Sequence, residues 1–465
     1  MTAGNRELRG WLAADLPVGT GREPAQPGLA RSLVRAGLVV APAMAAANGL
    51  NYAYNLVMAR MLGPEGYGAL GALLALVVIG TVPGYALQAV VARHTALRAF
   101  PPGARGPGTP ETPLPGPHAA GDRAIAELWS RTLTTVVAVG AGLGLVTVAA
   151  APLLSGYLRL GSVVPALWLA TAVAPLPVLA AVQGMLQGRE RFAALAAALL
   201  AAAAGKLVAG IGLVRAGGGV NGALTGAAVG SLLAMLLALA FVRPALAGAK
   251  PRGGHPRAAP GLGRLLPLRI GREVAGAAVA ILGLLLLANV DVLLARHYLD
   301  GDGPGLYAAG AVVAKIAYWA PQFVVTIVFP RLCTTDDRRR LLGRAAVAMA
   351  GFGGLLVAGA AAAPHLAATL PFGHAYLAVG PALPLFAALG TCLALVQLVL
   401  FSGIATADPR LNRVLLVAVV AEIGLGSLVF HGSVVQIVGV ALGVAGAVLA
   451  TGWLIERRPR PGPVP

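Results

Sequence analysis

Apolar residues in this chain fall in long blocks separated by short polar breaks, without the stripe of a surface helix or the alternation of a half-buried strand. About twelve blocks can be delimited, at 33–59, 67–92, 130–153, 163–186, 192–214, 220–242, 273–295, 306–330, 345–367, 377–403, 412–430 and 434–455. Many exceed the ~18 residues a helix needs to cross a hydrocarbon core of ~30 Å. Inside lipid every backbone N–H and C=O must be satisfied internally, which leaves helices or closed barrels, and no barrel-type alternation is present. The pattern therefore predicts an all-α polytopic membrane protein of about 12 transmembrane helices. Two longer connections interrupt it, the Pro/Gly-rich "AFPPGARGPGTPETPLPGPHAAG" (99–121) and the basic "RPALAGAKPRGGHPRAAPGLGR" (243–264). The first ~30 residues are polar and loop-like, so the first block is expected to serve as its own insertion signal.

Composition agrees: 58% of the 465 residues are hydrophobic and 11% charged, with a mean hydropathy of +0.80. Charge then orients the helices. With the N-terminus inside, 29 of the 35 Lys and Arg fall in cytoplasmic segments, and only Arg60, Arg159, Arg215 and Arg296 fall outside. Lys206 and Lys315 lie within blocks. This positive-inside bias predicts cytoplasmic N- and C-termini and accounts for the net charge of +18. Anionic membrane lipids are the partners it implies. Nucleic acid is not one, because no basic and aromatic recognition module is present. Cys333 and Cys392 are too few for a disulfide framework and lack metal-ligand spacing.

The blocks repeat. "NLVMARMLGPEGYGALGALLALVVIGTVPGYALQAVVAR" (55–93) echoes "DVLLARHYLDGDGPGLYAAGAVVAKIAYWAPQFVVTIVFPR" (291–331). Ala59-Arg60 matches Ala295-Arg296, Tyr67 matches Tyr307, Pro83 matches Pro321 and Arg93 matches Arg331. A second echo joins "KLVAGIGLVRAGGGVNGA" (206–223) to "EIGLGSLVFHGSVVQIVG" (422–439). The expected organisation is two pseudo-symmetric six-helix lobes. A cytoplasmic tail (1–32) precedes the N-lobe (33–243, TM1–6). A basic cytoplasmic loop (244–268) leads to the C-lobe (269–456, TM7–12) and a second tail (457–465). Substrate paths in such proteins usually lie between the repeats.

The segments "ARMLGPEGYGALGALLALVVIGTVPGYALQAVVAR" (59–93) and "LLANVDVLLARHYLDGDGPGLYAAGAVVAKIAYWAPQFVVTIVFPRL" (286–332) resemble the polysaccharide-flippase family. That family shares a superfamily with the multidrug and toxin extruders and the lipid II flippases. The resemblance covers the architecture of the whole chain, and its motifs lie in spans one, two, seven and eight. It implies a multi-pass protein of the bacterial plasma membrane that moves a lipid-linked oligosaccharide through an inter-lobe cavity by alternating access. It also implies glycosyltransferases and a polysaccharide polymerase as partners. A multidrug-extruder-like cation antiporter and a membrane scaffold for envelope assembly are the alternatives.

Four ionisable residues lie inside spans: Lys206, Asp291, Lys315 and Glu422. Insertion scales penalise such groups on the lipid face by roughly 2.5–3.5 kcal/mol, so they are expected to face protein or water. Asp291 reads either as a coupling carboxylate for H+ or Na+, or as a packing partner of Lys315 or Arg296. Lys206 and Glu422 occupy corresponding places in the two lobes and read as an inter-lobe ion pair, a packing pair or separate sites. Lys315, with Arg60 and Arg296 at the outer mouth, reads as a cationic lining for a pyrophosphate, the two arginines alternatively as head-group anchors. Asn48, Asn51, Tyr52 and Asn55 share one helix face, suited to interhelical bonds or to sugar hydroxyls. Pro83 and Pro321 are candidate hinges. "GAGLG" (140–144) reads as close-packing glycine. No Ser/His/Asp arrangement, carboxylate dyad or metal cluster is legible, so neither an enzyme nor a cofactor is expected.

Overall fold

The computed structural model describes residues 27–99, 117–247, 268–321, 338–405 and 410–457. Among them no strand occurs, and nine segments are long and apolar enough to cross a membrane. Two of these, Pro42–Ala92 and Phe192–Val242, have 51 residues each. At 1.5 Å per residue such a length is about 76 Å, more than twice the hydrocarbon core. Each is two crossings joined by a sharp turn.

In the first half, α1 (Pro27–Gly80) turns at Gly63, whose φ of 69° is one that L side chains rarely adopt. Pro64 follows, its fixed φ suited to restarting a helix. A break at Thr81 separates α1 from α2 (Val82–Ala99). Next come α3 (Pro117–Tyr157), α4 (Val164–Val173), α5 (Leu176–Gly188) and α6 (Phe192–Leu213). A π-type turn at Val214–Gly218, with Gly217 at φ 90° and Gly219 at φ 50°, leads into α7 (Gly219–Ala247).

The second half holds α8 (Leu268–Leu287), α9 (Val290–Tyr298), α10 (Gly303–Trp319) and α11 (Arg338–Ala362). The short α12 (Pro364–Phe372) and a 3-10 turn at His374–Ala382 precede α13 (Leu383–Ala405), α14 (Arg410–Leu428) and α15 (Val434–Arg457). Every expected block coincides with helix where it is described. Block two is broken at Thr81, block four at Ala174-Pro175, block seven at Ala288-Asn289 and block nine at Ala363. The second half of block eight lies outside the described residues.

The chain divides into two compact units. The first joins Gly28–Leu62 with Leu76–Ala278. Leu87, Val91, Val136, Val182, Met185 and Leu186 are buried at its core, where α2, α3 and α5 meet. Gly140 and Gly144 of the "GAGLG" stretch abut Ala174, a packing role as expected.

The second unit joins Gly63–Ala75 with the residues from Val279 on. Its centre is α13, against which α10, α11 and α15 pack. Here the two copies of the Gly-Pro motif touch. A Cβ on Gly305 would overlap the backbone of Pro64, one on Gly68 would come within 2.8 Å of Pro304 and Gly305, and one on Gly71 would reach Ala308 at 2.8 Å. Tyr67, the repeat-mate of Tyr307, packs edge-on to Tyr376 at 6.3 Å between ring centroids.

Candidate functional site

Span seven breaks where its sequence turns polar. Asn289 takes φ −141° and ψ −15° between α8 and α9. Its side-chain Nδ2 donates to the carbonyl of Leu285 at 2.8 Å, so the amide competes with the helix ladder. Asn289 is 2% exposed, and its Oδ1 has no hydrogen-bond partner among the described residues.

The break places Asp291 in the first turn of α9, where the positive end of the helix favours a carboxylate. Arg296 sits in the last turn of the same helix, where a cation complements the carbonyl end. Asp291 is 3% exposed. Its Oδ2 accepts a 2.8 Å hydrogen bond from the Tyr307 hydroxyl of α10. Its Oδ1 has no side-chain or ladder partner among the described residues, although the N–H groups of Asp291 and Val292 lie towards the carboxylate. Tyr307 is held by Phe386 of α13, ring centroids 5.0 Å apart.

Glu422 completes the cluster from α14. It is fully buried, and neither carboxyl oxygen finds a hydrogen bond among the described residues. Helix α14 packs on α9, and one turn beyond Glu422 a Cβ on Gly426 would come within 2.7 Å of Leu294. Asp291 interacts coulombically with both Glu422 and Lys315. Asp291 thus lies between a second carboxyl group and a lysine. Buried charge without a partner is costly. The unsatisfied atoms of Asn289, Asp291 and Glu422 are all oxygens, donors suited to a hard monovalent ion. Among the described residues no group of three or more His, Cys, Asp or Glu is placed to hold a metal.

The first unit carries a cationic counterpart. Lys206 of α6 lies 4.2 Å from the centroid of the Tyr54 ring and 3.4 Å from Asn51 Oδ1. Tyr54 is fixed by donating to the Ala223 carbonyl of α7 at 2.7 Å. On the polar face of α1, Asn51 Nδ2 donates to Ala47 O at 2.9 Å and Asn55 Nδ2 to Asn51 O at 2.8 Å. The amide nitrogens are used within their own helix, which turns the Asn51 oxygen to the lysine. Asn48 is exposed one turn away.

Of the residues singled out by sequence, Asp291, Lys315 and Glu422 therefore meet in the second unit, and Lys206, Asn51 and Asn55 in the first. Lys206 lies beside Tyr54 and Asn51 in the first unit, and Glu422 lies in the field of Asp291 in the second. Arg60 is exposed. The break in span two falls at Thr81, so Pro83 starts α2 within its first turn instead of bending a continuous helix. Pro321 lies just past α10, at the edge of the described residues. Sequence reasoning missed Tyr307 as the donor to Asp291 and Tyr54 as the platform for Lys206. Their only signal was a tyrosine inside an apolar block, since a buried hydroxyl needs a partner. It also missed that Tyr298 lies with its ring 4.5 Å from both His297 and His431.

The sequence matches no protein-family profile and no curated protein. Its fold is nevertheless similar to solved transporters. A multidrug resistance MATE family transporter of the MOP superfamily, in an inward-facing conformation, aligns over 88% of this chain and 94% of its own, with 14% identity and a TM-score of 0.63. A eukaryotic MATE transporter aligns over 93% and 97%, with 16% identity and a TM-score of 0.59. A MOP superfamily transporter from Pyrococcus furiosus aligns over 92% and 94%, at 13% identity and a TM-score of 0.55. The architecture is that of the two-lobe, twelve-helix MATE fold.

Proposed function

We propose that the protein is a membrane transporter working by alternating access, which carries a lipid-linked oligosaccharide between leaflets at the expense of a proton or sodium gradient. The observation that carries this reading is the placing of two buried acids in one unit and a half-buried lysine in the other. One unit holds the acidic cluster of Asp291 and Glu422, and the other a lysine surrounded by amide and aromatic groups.

The acidic cluster is the coupling site. With both carboxylates ionised, Lys315 leaves one negative charge in excess. A bound proton or monovalent cation removes that excess and so changes which conformation is favoured, and a ligand shifts an equilibrium only by such differential binding. Tyr307 positions Asp291 by its hydrogen bond. Lys206 is the substrate cation, a point charge for a diphosphate of two or more negative charges. Asn48, exposed on the same face of α1, offers its amide to sugar hydroxyls, while Asn51 turns its oxygen to Lys206. Arg60 and Arg296 belong to the outer mouth in this reading. The partners it implies are the glycosyltransferases that build the substrate and the polymerase that consumes it.

A multidrug-extruder-like cation antiporter is the second reading, favoured by the fold neighbours and by the buried acids. The Pyrococcus furiosus neighbour is described as having a binding pocket of reverse polarity that suggests a different function. Pocket polarity therefore varies on this fold, and Lys206 tips the choice here towards an anionic substrate.

Proteoliposomes loaded with a fluorescent lipid-linked oligosaccharide, under an imposed pH or sodium gradient, test both readings. Gradient-stimulated translocation is expected for the wild type. Asp291→Asn and Glu422→Gln are expected to lose the stimulation at least tenfold while remaining folded, and Lys206→Ala to slow translocation with or without a gradient. Unchanged coupling in both acid variants would overturn the coupling role. Export of organic cations with no movement of the lipid-linked sugar would replace the first reading by the second.

A further inference from the structure

We infer that Gln397 is a station on the path of the coupling proton, between the acidic cluster and the far end of the seam where α10 meets α13. The inference rests on the coupling role proposed for Asp291 and Glu422. Helices α10 and α13 pack side by side and run in the same direction. The Phe386 ring lies edge-on to Tyr307, and a Cβ on Gly310 would overlap it. One turn further along both helices, a Cβ on Gly390 would overlap the Ala314 carbonyl. Phe386, Gly390, Leu393 and Gln397 follow at spacings of four, three and four, which keeps them on one face of α13. Gln397 therefore continues the face that packs on α10, about 16 Å along the axis from Phe386.

This face of α13 is apolar until it reaches Gln397. The residue is 5% exposed, and its Oε1 has no hydrogen-bond partner among the described residues. A methionine there would fill the same volume without burying an unsatisfied acceptor, so packing alone gives no reason for the amide. Polar groups held at depth in a membrane mark ion pathways, and buried acceptors of this kind are met by ordered water. Lys315 follows Ala314 on α10, about 12 Å along that helix from Tyr307, and interacts coulombically with Asp291. Carboxyl, ammonium and amide thus descend the seam in that order. The order selects the ion. A lysine repels a metal cation, whereas its ammonium gives up a proton and regains one. An amide does neither, so Gln397 acts by holding the water that carries the proton on. About 12 Å of α13 remain beyond it, to Ala405, the end that the arginine bias makes cytoplasmic.

The purified full chain in proteoliposomes, assayed for translocation under a pH gradient, a sodium gradient or neither, tests the station. Stimulation by the pH gradient alone is expected for the wild type. Gln397→Met, which keeps the volume and loses the acceptor, is expected to cut the stimulated part at least fivefold. Its rate without a gradient is expected to stay within twofold of the wild type, and its melting temperature to equal or exceed the wild-type value. Loss of packing would move both of these, and loss of a relay moves neither. Gln397→Leu repeats the test should the methionine variant not fold. Gln397→Asn, which retains an amide, is expected to keep at least half of the stimulation. Unchanged stimulation in the methionine variant, or equal losses with and without a gradient, would overturn the station and leave the coupling site standing. Stimulation by sodium alone would overturn the proton path, again with the coupling site intact. A wild type that answers to neither gradient would overturn the station and the coupling reading together.

Discussion

The acidic cluster turns on one hydroxyl. Tyr307 gives Asp291 its only side-chain hydrogen bond among the described residues, and a hydrogen bond to a charged group is worth roughly 1.5–3 kcal/mol. Tyr307→Phe is therefore expected to lower the melting temperature of the purified protein by several degrees. The same change in an Asp291→Asn background should cost much less. A double-mutant cycle by thermal unfolding reads the difference, and equal costs in both backgrounds would show that the hydroxyl does not act through Asp291. The residues of this cluster were legible singly, because an ionisable group in an apolar block is conspicuous. Their company was not. Blocks such as 377–403 are apolar on every side, so their sequence does not say which face turns to which neighbour. Nothing in "LLLLANVDVLLAR" announces that Asn289 ends a helix, since the cause is a side chain bonding back to Leu285.

Among the elements, the crossing of the two Gly-Pro segments has the least tolerance. A Cβ on Gly305 would overlap the Pro64 backbone, which cannot swing aside as a side chain would. Gly305→Ala is expected to reduce folded yield sharply and to cost about 1–3 kcal/mol or more through overpacking. Gly351→Ala, on the open face of α11, is expected to be close to neutral. Fluorescence-detected size-exclusion profiles of the two variants separate these outcomes, and equal profiles would refute the packing argument. Element existence was legible from block length alone, because a run of apolar residues has few alternatives to a helix in lipid. Breaks were less so. The turn at Gly63 follows from a Gly-Pro pair, whereas the break at Thr81 precedes its proline by two residues.

For the molecule as a whole, the repeat and the helix count could be read from the sequence because both are written in block order. The membership of Gly63–Ala75 could not. Covalently it belongs to the first repeat, yet it packs with Pro304, Gly305 and Ala308, more than two hundred residues later. A gene cut within 250–264 tests what this means. The two halves produced together are expected to associate and co-purify. The first half produced alone is expected to be degraded, because the glycine face of 63–75 then has no partner. Survival of that half as a stable species would show that the crossing is dispensable. The consequence reaches into biosynthesis. The hairpin around Gly63 leaves the ribosome early, but its neighbour does not yet exist. It must wait in the bilayer, while five further blocks are threaded past it, for the segment that completes its surroundings.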